Sequence, residues 1–239
     1  GGSKRIPRKN LKKIDGKSLV EISIEQALNS KYIQDVIVST DDKEIKSVSL
    51  EAGAKVIERP EEYKNDNTIN EADNIIIDLI KKLEIKKLFY DIFVLLYPTA
   101  PLRTVNDIDS SIEKIINDGY DSVLTLSRDQ SYFWKTDIDG NNLAPFNYDP
   151  KYRVPSAIHD YIQYKENKAV YAFSRDLIIE TNCRIGGKIG FVLMPSLNSI
   201  DIDVPEDFEL VKVLNKIKGE NSNKWKFLLL VEPEPVEEF

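Results

Sequence analysis

Apolar and polar residues alternate along the chain in two patterns, one typical of buried strands and the other of amphipathic helices. Short apolar runs, of the length that fits a sheet covered on both faces, predict strands at Asp35–Val38, Lys55–Ile57, Ile92–Leu96 and Ser122–Leu126. Apolar residues at helical spacing predict the intervening helices Lys43–Ala52, Asn70–Leu83 and Val105–Asn117. This alternation predicts an α/β fold with a doubly wound, mostly parallel sheet.

The alternation stops between Arg128 and Lys165, where Tyr, Asp, Pro and Asn dominate. We interpret this stretch as an inserted arm or β-ribbon. The α/β pattern then resumes with strands and a helix at Ala169–Phe173, Phe191–Met194 and Glu206–Ile217. The predicted divisions are a nucleotide-binding core (1–127), a dimerisation arm (128–168), the rest of the core (169–222) and a strand-like segment with an acidic tail (223–239).

Composition narrows the class of protein. Among the 239 residues the formal net charge is −7, which argues against a nucleic-acid partner, and there is one cysteine, Cys183, which fits a reducing cytoplasm. The apolar runs fall well short of the roughly 20 residues that a membrane span needs, and we expect neither a signal peptide nor a membrane partner. Basic residues cluster near the N-terminus, at Lys4, Arg5, Arg8, Lys9, Lys12 and Lys13. One basic patch on an acidic protein indicates a small anionic ligand.

The segment Gly1–Asn10 is a candidate phosphate-binding loop. Glycines let backbone N–H groups approach phosphate oxygens, and the cations that follow neutralise the charge. The spacing is not that of a Walker loop. A tag-like Gly-Gly-Ser followed by a solvated basic run is an equally good interpretation of this segment alone.

Asp201-Ile202-Asp203 is a candidate metal site. Residues i and i+2 of an extended segment point the same way, and two carboxylates so placed suit Mg²⁺, which also takes substrate phosphates as ligands. The alternative is that Asp203 merely caps the helix that follows.

The loop Leu96–Thr104 leaves the carboxyl end of the most apolar predicted strand, which is where open α/β sheets bind ligands. Two prolines make this loop rigid. Arg103 within it suits a phosphate, a carboxylate or a structural role.

Taken in order, these motifs resemble one enzyme family. The series G-S-K-R-I-P-x-K-N, V-S-T-D, E-R-P, P-T-x-P-L-R and S-I-D-I-D is similar to that of the CMP-N-acylneuraminate synthetases and their legionaminate and pseudaminate relatives, over about residues 1 to 216. The resemblance implies a Rossmann-like fold of the nucleotide-diphospho-sugar transferase type. It also implies a homodimer that uses CTP, a nonulosonic acid and Mg²⁺.

The resemblance assigns expected roles by position. Ser3, Lys4, Lys9 and Asn10 match the loop that holds the triphosphate and part of cytosine. Arg59 matches the arginine that reads cytosine, Asn70 falls near another base contact, and Thr99 and Arg103 lie in the loop that flanks the sugar. Lys135 matches an arm lysine that reaches the partner's sugar carboxylate, and Lys165 stands where the family usually has arginine. Asn167 matches a sugar contact, and Asp201 and Asp203 match the metal pair. Lys9, Asp201 and Asp203 are the expected catalytic residues.

The chain departs from the family pattern at three places. The family has a strand and an arginine ahead of Gly-Gly-Ser, has R-Q-x-L-P where this chain has Ile158–Ile162, and has N-G where this chain has Asn167-Lys168. Two alternatives therefore stay open: a ketodeoxyoctonate or other sugar nucleotidyltransferase, and a catalytically impaired nucleotide-binding protein or rearranged chain.

The last expectation concerns the first strand of the sheet, which would aim the phosphate loop. The sequence starts at Gly1 and contains one methionine, Met194, so we expect the native start to lie elsewhere. The apolar run Phe227–Val231 has the character to fill the slot of that strand, from its own chain or from a partner. An extra edge strand or helix is an equally good interpretation of this run.

Overall fold

The computed structural model describes residues 5–60, 63, 71–153 and 162–222, with side chains as far as residue 217. The helices in these ranges are α1 (Leu19–Leu28), α2 (Lys43–Glu51), α3 (Glu71–Ile85), α4 (Val105–Asp118), α5 (Arg175–Thr181) and α6 (Pro205–Ser222). The strands are β1 (Lys13–Ile14), β2 (Lys17–Ser18), β3 (Ile37–Thr40), β4 (Lys55–Glu58), β5 (Ile92–Leu96), β6 (Ser122–Arg128), β7 (Trp134–Lys135), β8 (Ala144–Pro145), β9 (Tyr164–Ser174) and β10 (Ile189–Leu193).

The central sheet has the strand order β10-β6-β9-β5. β10 runs parallel to β6, whereas β9 is antiparallel to both β6 and β5. The α/β class is confirmed, but the sheet is mixed rather than mostly parallel. The reason is the connection: β9 returns from the arm directly beside β6, and a chain that doubles back without a crossover helix must run antiparallel.

Helices cover both faces of this sheet. Tyr171 and Phe173 of β9 pack against apolar residues of α3 and α5, while Val170 of the same strand packs with Ile108 and Ile112 of α4. Since successive residues of a strand point to opposite faces, β9 lies in the middle layer of three. None of the helices in the described ranges has the length and apolar character that a membrane span requires.

A second, smaller sheet consists of β3 and β4, paired in parallel. Between it and β5 lies a cavity of about 1140 Å³. Every residue of β3 and of β5 lines this cavity, so both strands present an edge to it, and the described residues place no strand there. The run Phe227–Val231, which we predicted to fill the slot of a central strand, lies outside the described residues, so that expectation stays a prediction.

The arm is described at 128–153 and 162–168. β7 and β8 form a short antiparallel hairpin, flanked by an aromatic cluster in which the ring of Tyr148 lies 4.3 Å from that of Tyr132 and 6.0 Å from that of Trp134. Several large apolar side chains of the arm are exposed: Phe133, Trp134, Ile138, Leu143, Phe146 and Tyr152. An arm of this shape agrees with the predicted β-ribbon, and its role in dimerisation stays a prediction.

Candidate active site

The candidate carboxylate pair lies beside the carboxyl end of β5. The backbone N–H of Ile202 donates to the carbonyl of Thr99, 2.8 Å away, and this bond ties the segment that follows β10 to the loop that follows β5. From the other side, the ammonium of Lys9 donates to the carbonyl of Ile202 at 2.5 Å. Three segments distant in sequence thus meet where an open α/β sheet binds its ligands.

The carboxylates of Asp201 and Asp203 point to the same place. The ammonium of Lys168 lies 2.7 Å from Oδ2 of Asp201 and 3.6 Å from Oδ2 of Asp203. Lys9 Nζ lies 3.8 Å from Oδ1 of Asp203. The common direction of residues i and i+2, expected from their spacing, is therefore present in the structure.

Asp207 makes the backbone contacts at the start of α6. Its Oδ2 accepts hydrogen bonds from the backbone N–H groups of Asp203 and Val204, at 2.8 and 2.9 Å. The carboxylate of Asp203, by contrast, faces Lys9 and Lys168. This division of contacts favours a ligand-binding role for Asp203 over the helix-capping alternative.

A bulge in β9 places Lys168 at the pair. Between the pairs Leu124–Tyr171 and Leu126–Glu166, Thr125 of β6 lies opposite four residues of β9, and within that stretch Lys168 adopts a positive φ of 56°. Thr125 Oγ1 accepts from the backbone N–H of Val170 at 2.9 Å, which stabilises the irregular turn. Bulges commonly redirect a side chain next to an active site, as this one does.

Asn167 is the buried anchor of the same bulge. Its side-chain oxygen accepts from Thr125 Oγ1 at 2.7 Å, and its amide nitrogen donates to Ser199 Oγ at 3.0 Å. It is 1% exposed. We expected Asn167 to contact the sugar, whereas in this structure its polar atoms hold β6, β9 and the segment before Asp201 together.

The ion pairs favour the protonated form of Lys168. Its hydrogen bond to Asp201 raises the pKa of its ammonium above the usual value, against a smaller opposing effect of burial. Lys168 therefore stays protonated at neutral pH and carries a full positive charge between the two carboxylates.

The pair fits Mg²⁺ by the chemistry of its oxygens. Oδ1 of Asp201 is buried and has no hydrogen-bond partner among the described residues. An unpaired buried carboxylate oxygen is costly unless a cation binds it. Within the described ranges no third carboxylate, histidine or cysteine completes a metal cluster, so further ligands would be phosphate and water, as Mg²⁺ prefers.

Residues expected to bind the nucleotide line the neighbouring cavity: Lys9, Asn10 and Arg59. The guanidinium of Arg59 reaches the carbonyl of Ser39 at 3.4 Å and a carboxylate oxygen of Glu71 at 3.8 Å. Its Nε is buried and makes no hydrogen bond within the described part of the chain. Arg59 thus lies on the cavity wall, and its contact with a base stays a prediction.

Arg103 differs from expectation. It is 2% exposed, and its guanidinium donates to the carbonyls of Tyr97, Ala100 and Ala169 and to the hydroxyl of Ser23. Burial lowers its pKa to about 9, so the guanidinium keeps its charge at neutral pH. Because these donors serve protein oxygens, Arg103 stabilises the loop that follows β5 instead of facing the sugar.

A polar group that the sequence analysis missed lies beside the bulge. Arg184 donates to Asp73 of α3 at 2.6 Å, and its guanidinium lies 4.7 Å from the ring centre of Tyr171. The hydroxyl of Tyr171 donates to Glu166, and burial raises the pKa of Tyr97 nearby. One indication of this arrangement was present in the sequence: Asn167-Lys168 stands where the family pattern has N-G. That difference marked the strand as unusual but did not indicate Arg184 or Asp73 as its neighbours.

The remaining expected residues lie apart. Lys135 sits on the β7–β8 hairpin, exposed, with its ammonium 5.5 Å from the ring centre of Phe146. Lys165 is exposed at the arm end of β9, opposite Ser127. Ser3, Lys4 and Asn70 lie outside the described residues.

Known proteins resemble this chain along most of its length. The cytidylyltransferase family matches residues 1–223. A CMP-N,N'-diacetyllegionaminic acid synthase of Legionella pneumophila is 31% identical over 223 residues, which are 92% of this chain and 94% of that protein. A pseudaminic acid cytidylyltransferase of Campylobacter jejuni is 30% identical over 229 residues, 93% of this chain and 95% of that protein.

The fold has solved counterparts as well. A CMP:2-keto-3-deoxy-manno-octonic acid synthetase in complex with CTP matches 91% of this chain and 95% of its own, with a TM-score of 0.64 and 18% identity. That likeness confirms the nucleotidyltransferase fold. The sequence matches show which family the chain belongs to. With its carboxylate pair at the edge of a mixed α/β sheet, this chain belongs to the cytidylyltransferase family.

Proposed function

We propose that this enzyme transfers CMP from CTP to a nonulosonic acid of the sialic-acid type and releases pyrophosphate. The observation that carries the proposal is the convergence of Asp201, Asp203 and Lys9 at the carboxyl edge of the sheet. Support for the substrate comes from the relatives named for legionaminic and pseudaminic acids. The solved synthetase for ketodeoxyoctonate supports the fold only, since its identity is 18%.

The reaction forms one bond and breaks one. The anomeric hydroxyl oxygen of the sugar attacks the α-phosphorus of CTP, the bond from that phosphorus to the bridging oxygen breaks, and pyrophosphate leaves. The hydroxyl proton is released. Such transfer depends on positioning and on neutralising charge more than on covalent catalysis.

The residues divide this work. We assign Asp201 and Asp203 to Mg²⁺, which when bound would neutralise charge on the triphosphate oxygens. Lys9 is held by the carbonyl of Ile202 beside Asp203, so its ammonium is fixed where a phosphate oxygen would lie. Asn10 and Arg59 line the adjoining cavity and provide hydrogen-bond donors for the base.

A substrate panel tests the proposal. Pyrophosphate release from CTP is measured with N-acetylneuraminate, a legionaminate, a pseudaminate and ketodeoxyoctonate, each with ATP, GTP and UTP as matched nucleotide controls. We expect CTP-dependent release with at least one of the first three acids. Release with ketodeoxyoctonate alone would favour the alternative sugar, and no release with any acid would favour an impaired enzyme.

We further propose a homodimer in which each arm completes the partner's site. Support comes from the exposed aromatic and aliphatic side chains of the arm, Phe133, Trp134, Leu143 and Phe146, since exposed apolar clusters of this kind mark protein interfaces. Lys135 lies on the same hairpin and would contact the sugar carboxylate of the neighbouring subunit.

Mixing two inactive variants tests composite sites. A dimer of one Asp203→Asn subunit and one Lys135→Ala subunit has one site with both residues intact, so random reassociation should restore about a quarter of wild-type activity. Each variant alone should stay nearly inactive. A fully active monomer in light scattering, or no recovery after confirmed subunit exchange, would contradict the composite site.

A further inference from the structure

The ammonium of Lys168 lies at the Asp201–Asp203 pair, which we assigned above to a divalent cation. We propose that its ammonium is the resident counter-ion of the Asp201–Asp203 pair: it occupies the cation position in the free protein and must leave when a divalent cation binds. This inference rests on the proposed function, since it assumes that the pair serves the nucleotide reaction.

The geometry makes the two cations competitors. Lys168 Nζ lies 2.7 Å from one oxygen of Asp201 and 3.6 Å from one oxygen of Asp203, so it approaches both carboxylates at once. A divalent cation that bridges the same two carboxylates would lie close to this ammonium, and two positive charges so near to each other repel strongly. Binding of the metal therefore requires displacement of the ammonium.

The backbone holds Lys168 close to the pair. Its positive φ of 56° lies inside the bulge that Asn167 and Thr125 stabilise. The side chain itself is 49% exposed, so it has room to move into solvent once a stronger cation arrives. The backbone thus keeps Lys168 close to the two carboxylates, while its side chain remains able to leave them.

Lys9 does not share this role. Its side chain is 13% exposed and its ammonium donates to the carbonyl of Ile202, whereas its distance to Asp203 is 3.8 Å. It is therefore positioned by the backbone and stays in place. Lys168, in contrast, contacts the two carboxylates themselves.

One functional consequence follows. A free divalent cation must compete with an intramolecular one, so its affinity for the free protein is weak. A nucleotide triphosphate supplies further ligands for the metal and an anion for the displaced ammonium, which favours entry of cation and nucleotide together. Lys168 is thus a positioning residue that couples metal binding to nucleotide binding.

Direct metal binding provides the test. Mn²⁺ binding is titrated by electron paramagnetic resonance without nucleotide. The proteins compared are the wild-type chain, Lys168→Ala, Lys168→Gly, Lys168→Arg and the charge control Lys46→Ala on the exposed face of α2. We expect both neutral variants at position 168 to bind Mn²⁺ about tenfold more tightly than wild type, because the metal no longer competes with a hydrogen bond between two charged groups. Lys168→Arg and Lys46→Ala should resemble wild type.

Each other outcome is decisive. Equal affinity in wild type and Lys168→Ala would overturn the inference, and so would a gain in Lys168→Gly alone, because that would trace to the backbone and not to the ammonium. If no variant binds Mn²⁺ while CTP-dependent turnover still requires Mg²⁺, the inference fails and the proposed function stands. Circular dichroism of each variant confirms that the compared proteins are folded.

Discussion

At the scale of single residues, Lys168 combines an unusual backbone conformation with an ion pair. A non-glycine residue at positive φ costs about 1 kcal/mol, and Lys168 has a φ of 56°. The pair with Asp201 offsets part of that cost. Sequence alone could not reveal this arrangement, because neither the bulge nor the direction of the side chain is encoded in local spacing.

The two truncations of Lys168 should separate these effects on stability. Lys168→Ala loses the ion pair and keeps the strained φ, while Lys168→Gly loses the pair and relieves the strain. We expect Lys168→Gly to exceed Lys168→Ala in free energy of unfolding by about 1 kcal/mol. Urea denaturation measures the difference, and an Ala variant as stable as the Gly variant would argue against strain at this position.

Arg103 shows a different limit of residue-level prediction. Its place in the P-T-x-P-L-R motif was evident from the sequence, and so was its position after β5. Whether a guanidinium faces a ligand or the protein depends on which oxygens surround it in three dimensions. Here carbonyls from two segments and Ser23 surround it, so the motif residue is structural.

At the scale of elements, local pattern predicted most of the helices and strands. β5 was predicted at its observed bounds, and α2 and α4 to within one residue. α1 was not predicted, since its residues 19–24 include three β-branched side chains that fit a strand as well. The direction of β9 was also missed, because apolar periodicity reports burial and carries no information on strand polarity.

In the sequence, the capping box at its first turn indicates the start of α1. This box leads to a prediction about stability. Ser18 Oγ accepts from the backbone N–H of Glu21, and the Glu21 carboxylate accepts from the backbone N–H of Ser18. Ser18→Ala should therefore lower the free energy of unfolding by about 1 kcal/mol. Thermal or urea unfolding measures this, with Ser47→Ala on the exposed face of α2 as the control.

The contribution of Glu21 should depend on pH. Its hydrogen bonds with Ser18 lower the pKa of this carboxyl in the folded protein. A lowered folded pKa stabilises the fold fully above the unfolded value, about 4.3, and loses that contribution as pH falls through the folded value. The stability difference between wild type and Glu21→Gln should accordingly be present at pH 7 and shrink below about pH 4. A difference independent of pH would contradict the capping role of the carboxylate.

At the scale of the whole molecule, the cavity between β3 and β5 is the main feature left to explain. Strand edges carry unpaired backbone groups, and leaving two of them against a large cavity is costly. The sequence prediction that Phe227–Val231 fills this slot rests on its length and apolar character, which match the five residues of β5.

Deletion of residues 225–239 tests that prediction. If Phe227–Val231 joins β3 and β5 into one sheet, the shortened protein should fail to fold cooperatively in urea. Leu229→Asp in the full chain should then destabilise strongly, whereas Glu237→Gln in the tail should have no effect. A deletion variant with unchanged unfolding would contradict the prediction in both forms, because the deletion removes Phe227–Val231 from its own chain and from any partner.

The central claim for the whole molecule is CMP transfer at the carboxylate pair. The most direct measurement is ³¹P detection of CMP-sugar and pyrophosphate formed from CTP and the preferred nonulosonic acid, by wild type, Asp203→Asn and the exposed charge control Glu206→Gln. We expect Asp203→Asn to lose turnover by about a thousandfold with its fold retained, since it removes a ligand of the catalytic cation. Glu206→Gln should stay close to wild type. Near-normal product formation by folded Asp203→Asn would contradict the account.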